Sequence, residues 1–95
     1  MAPEAVHAAL IGDGAIFDLA EGMQLRRAKV MGAKRIELVN FTEGMRERLR
    51  AYGLFSEIIS WKLRFFAPAD AEGVAVLARL IETYPIERVI DRAAA

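Results

Sequence analysis

The run Lys34-Arg35-Ile36-Glu37-Leu38-Val39-Asn40 constrains the fold more than any other stretch. It reads as a buried strand, with helix signals on both sides. Gly32, just before it, suits the left-handed residue that closes a helix. Asn40, with Glu43 three residues on, resembles a capping box that opens one.

The upstream stretch Ala15–Met31 carries Ile16, Leu19, Met23 and Val30 at helical spacing. Asp18 and Glu21 precede Arg26, Arg27 and Lys29, an order that complements a helix dipole. Gly22 is the exception, at about 1 kcal/mol against alanine in a helix interior. Asp13, inside Gly12-Asp13-Gly14, is the expected N-cap. Residues Pro3 to Ile11 suit either a short helix or a strand.

Downstream, Met45, Leu49 and Tyr52 predict a helix over Thr42–Tyr52, stopped by Gly53. After a connector from Leu54 to Ser60, Trp61, Leu63 and Phe65 alternate with Lys62 and Arg64. That is the period of a strand with one face open to water, or of a sheet edge; Pro68 ends it. Val74, Leu77, Ala78, Ile81 and Tyr84 predict a third helix from about Asp70, closed by Pro85. Ile86, Val89 and Ile90 are spaced for one more helical turn before a frayed Ala93-Ala94-Ala95 end. Helices alternating with strands imply crossover connections. The expectation is one α/β domain over residues 1–95, with a short, mainly parallel sheet and three to four helices.

Composition narrows the function classes. Thirteen basic residues balance thirteen acidic ones, so no net field draws in nucleic acid or an anionic membrane. Without cysteine, disulfides, thiolate chemistry and Cys-bound metal are excluded. No run approaches ~18 apolar residues, and Met1-Ala2-Pro3-Glu4 lacks the basic region of a secretory signal. A cytoplasmic protein with no membrane span is expected.

Chemistry-bearing patterns are few. His7 is the only histidine, and Ser56 and Ser60 are the only serines; no histidine lies near either in sequence to suggest a triad. Gly12-Asp13-Gly14 lacks the third glycine of a dinucleotide fingerprint and the Gly-Lys-Ser/Thr ending of a phosphate loop. Arg46, Arg48 and Arg50 are interrupted by Glu47 and read as a solvated helix face. No catalytic, cofactor-binding or metal-ligating set is expected.

The run Ala33–Asn40, followed by Met45, Leu49 and Gly53-Leu54, resembles the second half of STAS domains. The likeness is to the SpoIIAA-like branch, through Gly14-Ala15-Ile16-Phe17-Asp18-Leu19, Gly22, Lys62-Leu63-Arg64-Phe65-Phe66-Ala67-Pro68 and Val74-Ala75-Val76-Leu77. It spans residues 12 to 81, leaving 85–95 as a C-terminal extension. Two departures stand out. The family's N-terminal strands have almost no room within Met1–Ile11, and no hydroxyl occupies Gly12-Asp13-Gly14 to carry a phospho-switch. The resemblance implies a non-enzymatic regulatory module acting through protein–protein interaction. Its partner face would be Asp13, Gly14, Ile16 and Phe17, with a lipid or apolar ligand as a further candidate. A homo-oligomer through an exposed sheet edge, that of the Trp61–Phe66 strand, is also expected.

The alternative is an acetyltransferase-like fragment using acetyl-CoA, whose late strand is similar to Ala33–Leu38. Binding of acetyl-CoA would raise the melting temperature. An unchanged melting temperature at saturating acetyl-CoA is expected, and a clear rise would favour the enzyme.

Overall fold

The computed structural model describes residues 1–40, 42–51, 65–68 and 71–90. The expected Leu54–Ser60 connector, the start of the Trp61 strand, the Gly53 stop and the Ala93–Ala95 end lie outside the described residues. The chain opens with α1 (Pro3–Ala8), which widens into a π-helical turn over Ala9–Asp13. Strands β1 (Ile16–Leu19), β2 (Gln24–Val30) and β3 (Ala33–Val39) follow in a meander. Helix α2 (Glu43–Ala51), strand β4 (Phe65–Pro68), helix α3 (Ala71–Thr83) and strand β5 (Ile86–Ile90) complete it. The five described strands form one sheet in the order β4-β3-β2-β1-β5, and every neighbouring pair is antiparallel.

The expected mainly parallel sheet is therefore wrong, and the error starts at Ala15–Met31. This stretch is not a helix but two strands joined by a turn. Glu21 (φ 63°) and Gly22 (φ 80°) both take the left-handed conformation, which a helix interior excludes. The helical stripe counted Ile16 and Val30 but left out Phe17 and Leu25, which are completely buried. Phe17 and Leu19 obey the two-residue period of a strand. Gly32 is left-handed as expected (φ 82°), but it closes a hairpin rather than a helix. Strands joined by tight turns must run antiparallel, which removes the crossovers that a parallel sheet needs.

Register sorts the side chains onto two faces. Phe17 lies opposite Leu25, and Leu25 opposite Leu38, so one row of large apolar side chains crosses three strands. Ile36, two residues from Leu38, shares that face and is buried with it. Against this face pack Val6 and Leu10 from the first helix and its π turn, and Leu77, Leu80 and Tyr84 from α3 and its end. Complete burial of a side chain such as Leu25 contributes roughly 1.5–3 kcal/mol.

The third helix stands where its apolar spacing put it. Helix α2 also forms, but Thr42 rather than Asn40 occupies the position before its first turn, and the Thr42 carbonyl accepts the Arg46 N–H at 2.9 Å. Asn40 is an exposed left-handed residue (φ 63°) just after β3. The expected turn at Ile86–Ile90 is instead strand β5, paired along β1. Five residues are too few to separate the two periods, and the β-branched side chains favour the strand.

The hairpin between β2 and β3 turns on Met31-Gly32, both at positive φ, as a two-residue type I′ turn requires. Glycine tolerates this; methionine pays about 1–2 kcal/mol for the left-handed region. Replacing Met31→Asn, with asparagine preferred at this place, is expected to stabilise the chain by about 0.5–1 kcal/mol. Urea unfolding should show a higher midpoint with an unchanged m-value.

Candidate functional site

The four residues expected to form one partner face are divided by the fold. Asp13 is exposed at the end of the π turn, and Gly14 (φ 70°) is the left-handed residue that terminates it. The Gly14 and Ala15 N–H groups both donate to the Ala9 carbonyl. The Ile11 carbonyl is satisfied differently: Arg27 Nη1 donates to it at 3.0 Å. A cation at a helix C-terminus is doubly favourable there, as donor and as complement to the dipole. A Cβ on Gly14 would stand 3.2 Å from Arg27 Nη2, so the glycine also leaves room for the cap. Asp13 and Gly14 thus belong to a helix terminus, not the helix start that the sequence reading assumed. Phe17 is fully buried in the core and offers nothing to a partner. Ile16, one residue away, faces the opposite side and is half-buried.

That opposite side, away from α1 and α3, is built on charged cross-strand rungs. Asp18 lies opposite Gln24 on β2 and Arg88 on β5. Its Oδ1 accepts from Gln24 Nε2 at 2.9 Å, and its Oδ2 accepts from both Arg88 Nε and Nη2 at 2.8 Å. One row over, Arg26 Nη2 donates to Glu37 Oε1 at 3.0 Å across the β2–β3 rung. Glu37 is buried, so this pair keeps a carboxylate satisfied in the sheet.

Beside the Asp18–Arg88 rung, Ile16 pairs with Ile90 and Phe17 with Val89. The β5 side chains alternate between faces, and the strand ends the sheet. Val89 and Ile90 are exposed to 45% and 36%, so the border strand presents apolar groups on both faces. No described strand pairs with its outer edge. Sequence reading missed this border because Ile86–Ile90 looked helical; its Ile-x-x-Val-Ile content was the available signal.

His7 Nε2 is enclosed and has no hydrogen-bond partner among the described residues. It lacks the oriented partner that acid–base work requires. Among the described residues no three His, Asp or Glu side chains gather as a metal site, and no helix is long and apolar enough to cross a membrane. Comparison with protein-family models, curated proteins and solved structures finds no match.

Hydrogen bonding from Gln24, then hydrogen bonding and attraction from Arg88, hold the Asp18 carboxyl below its ordinary pKa; partial desolvation opposes them. A carboxylate lowered on folding contributes stability that is complete above its unfolded value of about 3.9 and lost as pH falls through the folded value. Asp18→Asn is therefore expected to flatten the stability–pH curve below about pH 4. Gln24→Ala should move the Asp18 carboxyl titration, followed by NMR, back towards the ordinary value.

Proposed function

We propose that this chain is a non-enzymatic binding module that recognises a partner protein by adding a strand to the outer edge of β5. The exposed edge strand carries this reading. Val89 and Ile90 project on opposite faces, and a border strand offers a row of main-chain donors and acceptors. In strand addition the main chain supplies affinity, and pockets for alternate side chains supply specificity. Ile16 and Ile90 provide one apolar position, and the 69%-exposed Arg88 beside them adds a charged one.

A second copy of the chain is one such partner, at β5 instead of the Trp61–Phe66 edge expected from the sequence. Of the original partner face, Ile16 remains in this reading. Asp13 is exposed at the end of the π turn, Gly14 terminates that turn and Phe17 lies in the core. The acetyl-CoA alternative gains nothing from this edge.

Lysine on a border strand opposes strand addition, so the double variant Val89→Lys/Ile90→Lys is the test. Sedimentation over a concentration series and capture from cell extract should both weaken at least tenfold, while the melting temperature stays within a few degrees. Asp13→Lys, in contrast, should leave association unchanged. Association that survives the double variant, or that Asp13→Lys abolishes, would sink the β5 reading.

A further inference from the structure

The β2–β3 hairpin is longer than the sheet around it. Its two strands pair over seven rungs, from Gln24 opposite Val39 to Val30 opposite Ala33. On one side β1 reaches only Gln24 and Leu25; on the other β4 stops at Arg35. Beyond Arg35, the Lys29–Lys34 rung, the Val30–Ala33 rung and the Met31-Gly32 turn have no described strand alongside. The free ribbon is about 10 Å long at about 3.3 Å per residue.

Its residues change character as it leaves the helices. The face that carries Leu25, Leu38 and Ile36 under the core continues outward as Arg27, Lys29 and Lys34. Arg35 lies on the other face, opposite Ala28. Lys29 and Lys34 stand directly across from each other, a like-charge pair that costs the hairpin stability. Neither they nor Arg35 has an acidic partner among the described residues, whereas Arg26, Arg46 and Arg88 are each paired. At the apex Met31 is completely exposed and held at positive φ. A local run of unfavourable choices at one exposed tip is a reason to look for a ligand there.

We propose that the free end of this hairpin is a nucleic-acid-binding arm, laying Lys29, Lys34 and Arg35 against the phosphates of a duplex with Met31 leading. The neutral total charge conceals this arm, because the fold pairs several other arginines and leaves these cations together. A two-stranded ribbon fits a duplex major groove, which is about 12 Å wide. Cations on both faces of the ribbon suit a contact that surrounds it, as groove walls do. An anionic membrane would meet only the apex, where one methionine replaces the Trp, Phe and Leu of interfacial segments. Apolar side chains, methionine among them, are also used as wedges between base steps.

Binding is read by anisotropy of a short labelled DNA duplex with the full chain, wild type and Lys29→Gln/Lys34→Gln/Arg35→Gln. Lys29 and Lys34 are exposed and Arg35, at the base of the free ribbon, is half-buried, and circular dichroism checks that the variant folds. Three neutralised phosphates give a slope of log K against log salt near −2.7, or roughly a 40-fold loss from 50 to 200 mM. The triple variant should bind at least tenfold more weakly with a flattened slope, and Arg46→Gln, at an arginine paired with Glu43 on α2, should bind as wild type. No duplex binding by the wild type at low salt, or equal binding by the triple variant, overturns the proposal. Sedimentation with phosphatidylserine vesicles but no binding to the duplex would overturn it in favour of a lipid surface.

Discussion

Everything in this fold depends on the row of Phe17, Leu25 and Leu38 across β1, β2 and β3. These side chains share a face because their backbones are directly opposed, and each is wholly buried beneath the helices. A slip of one residue in β2 would turn Leu25 outward and bring Gln24 or Arg26 into the core, at a cost of several kcal/mol for an unpaired charge. The same register sets the opposite face. Once Leu25 points inward, Arg26 must meet Glu37 and Gln24 must meet Asp18. Core and ionic rungs are two consequences of one alignment.

The helical layer explains why the two ends of the sheet differ. Helix α3 carries the chain from β4 at one border to β5 at the other, packing against α1 on the way. Its end is fastened at Tyr84, whose N–H donates to the Leu80 carbonyl at 2.8 Å. The Pro85 carbonyl then accepts the Ala20 N–H at 2.9 Å, tying the start of β5 to the end of β1. Strand β5 is thereby delivered to the border with one edge paired. The β2–β3 ribbon, in contrast, outruns both of its neighbours. The two proposed contacts, strand addition and nucleic-acid binding, use two of the places where pairing among the described strands stops.

Legibility in the sequence varied with element length and with how many periods fitted the same residues. Helix α3 was readable because Val74, Leu77, Ala78, Ile81 and Tyr84 sustain one period over three turns. Strand β3 was readable from Ile36, Leu38 and Val39. The Ala15–Met31 stretch was not, since Leu19 and Met23 serve a helical stripe and a two-strand core equally well. Gly22, the exception within the helical pattern, was the clue that local propensity offered for a turn. The expected partner face suffered in turn. A helix beginning at Gly14 would have presented Asp13 and Phe17 together; a helix ending there sends one to solvent and the other to the core.

Read alone, the chain specifies an inventory: a neutral, cysteine-free composition, a buried strand at Lys34–Val39 and an apolar helix before Pro85. These follow from composition and from periods long enough to be unambiguous. Tertiary structure decided the pairing of strands, the direction of each, and therefore which charges are neutralised and which stand free. The physical reason is that strand pairing is non-local. Asp18 and Arg88 are seventy residues apart in sequence, and no local pattern announces that they share a rung. The Lys34–Val39 run is a strand as its pattern predicts, but its neighbours made it one arm of a protruding antiparallel hairpin.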